Sequence, residues 1–151
     1  MPMSRFVYVT YIRTSPEHLW RALTDPQFQI KYWFGMHQES DWTAGASWKL
    51  CFADGRIADE GEVLEIDPPR RLVLSWRHQL APELKSEGEA RCIFELEPLE
   101  DTVKLTITHS SEATPSRLID KISGGWPKIL ASLKSLLETG EALAAIHRPA
   151  A

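Results

Sequence analysis

Residues 103–143 read VKLTITHSSEATPSRLIDKISGGWPKILASLKSLLETGEAL, and the rhythm of the apolar positions changes part-way along. Val103, Leu105, Ile107 and His109 alternate with Lys104 and with Thr102, Thr106 and Thr108. A period of two is that of a strand with one buried face. From Trp126 onward the spacing becomes helical, through Ile129, Leu130, Leu133, Leu136, Leu137 and Leu143, which gives one apolar stripe. Pro127 suits the first turn of this helix, with Gly124-Gly125 before it, since proline is tolerated where the N–H has no partner. Thr114-Pro115 to Ile122 then reads as a separate helical turn or two, broken at the glycines. Strands therefore give way to one long C-terminal helix.

Upstream, the same alternation recurs. Trp48, Leu50 and Phe52 share a phase, and Asp54-Gly55 is a hairpin turn. A strand over about Ile57–Ile66 ends at Asp67-Pro68-Pro69. Leu72, Leu74, Trp76 and His78 occupy one face of the next strand, with Val73, Ser75 and Arg77 on the other. Ala90, Cys92, Phe94 and Leu96 repeat the pattern, and Phe6–Ile12 is a β-branched and aromatic run near the N-terminus. Between that run and the sheet lie two helix starts, Ser15-Pro16-Glu17 and Asp25-Pro26. In each, an oxygen-bearing side chain can cap and proline takes the first helical position. Leu19, Trp20 and Leu23 form the buried stripe of the first helix, and the second runs to about Tyr32 before a Trp33-Phe34-Gly35 loop. The expected architecture is α+β. A curved antiparallel sheet of about six strands wraps a long C-terminal helix, with two short helices after the first strand. Residues 4–143 make one domain and 144–151 a tail. A curved sheet and a straight helix diverge, so the arrangement leaves a cavity.

Composition narrows the function. The chain has 151 residues, 43% of them hydrophobic, enough for one core without metal or disulfides. Lys and Arg number 17 against 21 Asp and Glu, a net charge of −4, which argues against a nucleic-acid partner because phosphate contacts need a basic surface. No apolar run nears the ~20 residues of a membrane span, and the N-terminus has no signal-peptide apolar region. Cys51 and Cys92 make no disulfide framework. A cytoplasmic protein that does not insert into membranes is expected. Six tryptophans stand out, because large rings fill cores and also line apolar pockets.

Ser15-Pro16-Glu17-His18-Leu19-Trp20-Arg21-Ala22-Leu23-Thr24-Asp25-Pro26 resembles the opening of START-like helix-grip (SRPBCC) proteins. The likeness is to the branch related to the activator of the heat-shock-protein-90 ATPase. Trp33-Phe34-Gly35, Gly61 to Ile66 before Pro68-Pro69-Arg70-Arg71-Leu72, Trp76, Thr106 to His109, and Gly125-Trp126 with Leu130, Leu133 and Leu137 resemble further motifs of that branch. In order and spacing they cover roughly residues 6–138. The resemblance implies a sheet gripping a C-terminal helix with a cavity between them. Relatives bind lipids, sterols and plant hormones, cyclise polyketides, or assist a chaperone. Fold alone does not choose among these.

The residues expected to line a ligand cavity are Trp33, Trp48, Trp76, His78, Phe94, Leu105, His109, Trp126 and Leu130. At a given depth, cavity wall and core are chemically alike, so these positions read equally as core. His78 and His109 sit near strand ends on the apolar phase, either orienting a ligand or reaching solvent. Glu62 shares a phase with Leu64 and Ile66, so it either points inward as a base or reaches water. Cys92 reads as a small buried hydrophobe, while Cys51 lies on the opposite phase from Leu50. The five histidines are scattered and no metal motif is present, so neither a metal nor a cofactor is expected. Gly124-Gly125 reads as a close approach of helix to sheet rather than a phosphate loop. Val73 and Ile93, on the outer sheet face, suggest a dimer patch, so monomer and homodimer both stand.

The expected function is therefore non-enzymatic binding of a small hydrophobic or amphipathic molecule. The alternatives are a chaperone-associated regulator and a cyclase- or hydrolase-type enzyme using the same cavity. The eukaryotic activator carries an additional N-terminal domain, whereas this sequence opens directly on the helix-grip segment. That sets chaperone stimulation behind small-molecule binding.

Overall fold

The computed structural model describes residues 4–143; the expected 144–151 tail lies outside them. In chain order the elements are β1 (Ser4–Ile12), α1 (Pro16–Thr24), α2 (Pro26–Tyr32), β2 (His37–Ser40), β3 (Ser47–Cys51), β4 (Ile57–Asp67), β5 (Arg71–His78), α3 (Pro82–Lys85), β6 (Ala90–Pro98), β7 (Val103–Ser111) and α4 (Arg117–Thr139). The strands form one antiparallel sheet in the order β1-β7-β6-β5-β4-β3-β2. It has seven strands rather than six. The extra one, β2, reads His-Gln-Glu-Ser and carries no apolar alternation that would announce it.

The helix starts behave as their cap residues dictate. Ser15 Oγ accepts from His18 N at 3.1 Å, and Asp25 Oδ1 accepts from Gln27 N at 2.9 Å. Pro16 and Pro26 hold the first helical positions. Beyond α2, a buried polar network ties the short helices to the sheet edge. Gln29 Nε2 and Gln38 Nε2 both donate to the Leu23 carbonyl, and Gln38 N donates to Gln29 Oε1. Gln29 and Gln38 are almost fully buried, so each amide needs such partners.

Two irregularities curl the sheet: register shifts in β4 between Val63 and Glu65, and between Leu50 and Cys51 in β3. Bulges sharpen local twist. Beside the β4 shift, Gly61 lies so close to the Ser75 backbone that any Cβ would collide with its carbonyl, and Ser75 Oγ accepts from Glu62 N at 2.8 Å. These shifts break the simple alternation. Val63 is buried and Glu62 is exposed, so Glu62 does not point inward. Leu50 and Cys51 are both buried despite opposite phases. Val73 is fully buried, which removes it from any outer-face dimer patch.

Helix α4 also departs from expectation, because it runs unbroken through Gly124, Gly125 and Pro127. Gly costs a helix interior about 1 kcal/mol and Pro about 3. The compensation is tertiary: Leu118, Ile119, Trp126, Leu130 and Leu133 are all buried along one side. The start is fixed by Ser116, which accepts from Ile119 N, and by Glu87, which accepts from Ser116 Oγ and Arg117 N at 2.7 and 2.8 Å. Among the described residues, no atom outside the helix's own nearby backbone and the chain neighbours lies within 4 Å of a Cβ at Gly124 or Gly125, so these glycines do not serve a close helix–sheet approach. The helix ends on Gly140 at φ 87°, as left-handed C-caps do, and Leu143 falls beyond it.

Candidate functional site

The sheet and α4 part company at one end. Between α4 and the β3–β5 side lies an apolar cavity of about 290 Å³. Its walls come from the loop after α2 (Trp33, Met36), from β3 and the residue after it (Leu50, Phe52), from β4 and β5 (Ala58, Asp59, Trp76, His78), and from α4 (Leu118, Ile122, Trp126, Ile129). Leu80 and Lys121 stand on the exposed side of this lining.

Trp126 organises the aromatic wall. Its ring lies 5.5 Å from Trp33 at 60°, 5.9 Å from Trp76 at 65° and 5.8 Å from Phe94 at 82°. These are edge-to-face contacts, the geometry aromatic quadrupoles favour. Behind Trp76, the Trp48 ring packs at 4.4 Å, and Trp48 Nε1 donates to Gln38 Oε1 at 2.7 Å. The polar network under α1 and α2 thereby holds the second layer of the wall.

Two histidines sit on the same inner face in different surroundings. His78 lines the cavity, and its Nδ1 meets Asp59 Oδ1 at 3.0 Å. Both groups are buried, at 5% and 7% exposure. A carboxylate oxygen accepts, so Nδ1 is the donor of this pair and Nε2 is the ring atom left for another partner. Among the described residues, three buried side-chain nitrogens have no hydrogen-bond partner: Nε2 of His78, Nε1 of Trp76 and Nε2 of His109, of which the first two belong to residues of the cavity lining. His109 lies outside the cavity lining. Its Nδ1 accepts from Trp126 Nε1 at 3.1 Å, which puts the ring proton on Nε2. Burial pushes its pKa down to about 3, because the imidazolium would lose its hydration.

The sequence candidates therefore divide. Trp33, Trp76, His78 and Trp126 line the cavity. Trp48, Phe94, Leu105, His109 and Leu130 are buried but lie outside its lining. All nine are inward-facing; the difference is position along the groove, since the gap opens only where α4 diverges from β3–β5. Neither histidine reaches solvent as a strand end would.

Asp59 carries no signal in the sequence, where Glu62 is the carboxylate of this stretch that shares a phase with apolar neighbours. Counting back from the Asp67/Arg71 pair sets Glu60 opposite His78. The register shift in β4 moves Asp59 there instead. A bulge is the one-residue correction that the count could not contain.

The model of a known family matches residues 13–138: Activator of Hsp90 ATPase homolog 1-like protein. The chain belongs to this family. Solved structures agree on the fold. The Aha1 dimer from Colwellia psychrerythraea superposes with a TM-score of 0.73 at 21% identity, covering 93% of this chain and 100% of that one. MLL2253 from Mesorhizobium loti gives 0.76 at 23% identity, covering 89% and 97%. PFC0360w, an HSP90 activator from Plasmodium falciparum, gives 0.72 at 21%, covering 88% and 95%. No curated protein matches the chain by sequence. No helix among the described residues is long and apolar enough to cross a membrane.

Proposed function

We propose that this family member binds a small amphipathic molecule in the cavity between sheet and α4. One observation carries the reading: an aromatic cavity whose buried polar side chains, His78 and Trp76, keep an unpartnered nitrogen. Buried polar nitrogens are normally satisfied, and a ligand hydroxyl, which can donate to His78 Nε2 and accept from Trp76 Nε1, would satisfy them. The apolar part of the ligand would lie against Trp33, Trp126 and Ile129. Removing it from water would supply about 25 cal/mol per Å² before the costs of association. The ligand would be small, because about 290 Å³ sits at the lower end of drug-sized pockets.

Native mass spectrometry of freshly purified protein, repeated under denaturing conditions, tests this. An added mass that vanishes on denaturation identifies a non-covalent ligand, and Trp76→Ala and Trp126→Ala should weaken its retention. Added amphiphiles that fail to quench tryptophan emission across a broad panel, with no native adduct, would sink the reading. The same spectrum reports monomer or homodimer.

A second reading, a regulator of a chaperone, is favoured by the family match. It predicts retention of the protein on immobilised chaperone, and absence of retention removes it. Two free buried cysteines suit the reducing cytoplasm that either reading assumes.

A further inference from the structure

On the far side of β2 and β3 from the aromatic wall, three donor groups converge that no sequence motif connects. His37 and Glu39 are two residues apart in β2 and share one face. Cys51 of β3 pairs directly across from His37. One ligand atom from each of the three lies within 4.8 Å of the others. His37 Nε2 and Glu39 Oε2 are already 2.9 Å apart. The facing of β2 is fixed: Gln38, on its other side, is 1% exposed and is held to Trp48 and to the Leu23 carbonyl.

We propose that His37, Glu39 and Cys51 form a binding site for a borderline transition-metal dication of the Zn²⁺ type. A thiolate with an imidazole selects such ions over Mg²⁺ or Ca²⁺, which prefer all-oxygen sites. Three protein donors with a fourth position open match the pattern of an open tetrahedral site. Glu39 is exposed and His37 half-buried, so the open position faces solvent and an ion can enter. Binding releases the Cys51 thiol proton to solvent. His37 coordinates through Nε2 as the neutral ring with its proton on Nδ1. Thiolate and carboxylate then balance the dication's charge. Lys49, across from Glu39 in register, competes for the carboxylate, so Lys49→Met should tighten binding. The site clips β2 to β3 beside the cavity, since Met36 and Leu50, the chain neighbours of His37 and Cys51, line it. It does not depend on a ligand being there.

The test is Co²⁺ titration of the reduced full chain, followed by Zn²⁺ displacement. Saturation at one ion per chain is expected, with a thiolate-to-cobalt charge-transfer band and tetrahedral d–d bands, all lost on adding Zn²⁺. Cys51→Ser should abolish the charge-transfer band. His37→Gln and Glu39→Gln should weaken binding at least about ten-fold, since even outer partners of a ligand are worth 10–100-fold. His18→Gln, outside the cluster, should change nothing. Absence of saturable one-to-one binding, or a charge-transfer band that survives Cys51→Ser and so belongs to Cys92, overturns the proposal. Should circular dichroism show Cys51→Ser unfolded, the half-exposed His37→Gln decides: undiminished binding overturns the site.

Discussion

The two halves of the groove between sheet and α4 are built from the same kind of residue and do different things. Toward β6 and β7, Phe94, Leu105, Ile107, Leu130 and Leu133 close on one another, and His109 is sealed among them with Trp126 as its partner. Toward β3–β5 the walls stand apart, and His78, held by Asp59, faces a cavity. His109 accepts from an indole N–H, has no carboxylate beside it, and is kept neutral by burial. His78 has a carboxylate on Nδ1 and borders open space. Sheet curvature separates the two cases, through the register shifts at Leu50/Cys51 and Val63/Glu65.

Trp126 joins the halves, so its removal should have the largest effect. Trp126→Ala is expected to cost about 3–5 kcal/mol in urea unfolding, the usual range for a buried large aromatic, and to leave His109 Nδ1 without its donor. A loss under about 1 kcal/mol would mean that the sealed half does not need this ring.

The sealed half should respond to acid. The His109 pKa is held down to about 3 by burial, against about 6.5 in an unfolded chain. Between those values the unfolded chain binds more protons, so stability rises with pH. His109 therefore contributes in full above about pH 6.5. That contribution is lost as pH falls toward 3, at up to about 1.4 kcal/mol per unit. Unfolding curves of wild type and His109→Gln at pH 7, 5.5 and 4.5 measure it: the variant's pH profile should be flatter, and parallel profiles would refute the sealed neutral ring.

The open half should respond to its acid. Asp59→Ala leaves His78 Nδ1 buried without an acceptor and should cost about 1–3 kcal/mol. Asp59→Asn, which still offers an oxygen, should recover most of this, with chemical denaturation as the readout. Equal losses in the two variants would show that the carboxylate charge, rather than the hydrogen bond, matters.

The smallest stability effect should come from filling the cavity. Ile129→Phe is expected to shift stability by less than about 1.5 kcal/mol in either direction while abolishing any native-state adduct. A large destabilisation would mean that the gap is already closed, and an unchanged adduct would place the ligand elsewhere.

Particular residues show how far the sequence could be read. Val103 to Thr108 announce a strand because each inward residue is apolar and each outward one is polar. Ser15-Pro16 and Asp25-Pro26 announce helix starts because cap and proline chemistry is local. His37–Ser40 announce nothing, since a short edge strand is held by partners contributed from elsewhere: Gln29, Trp48 and the Leu23 carbonyl. Gly124, Gly125 and Pro127 announce a break that long-range burial of Trp126, Leu130 and Leu133 overrides.

The sequence by itself determined the alternation, the caps, the C-terminal helical stripe and the family motifs, and with them the grip of sheet on helix. All of these depend on residues within a turn or a strand of each other. Tertiary structure decided which inward residues bound open space, that Asp59 rather than Glu60 meets His78, and that His37, Glu39 and Cys51 come together. Each depends on register, and one bulge shifts every pairing beyond it by a residue, a displacement absent from any local pattern.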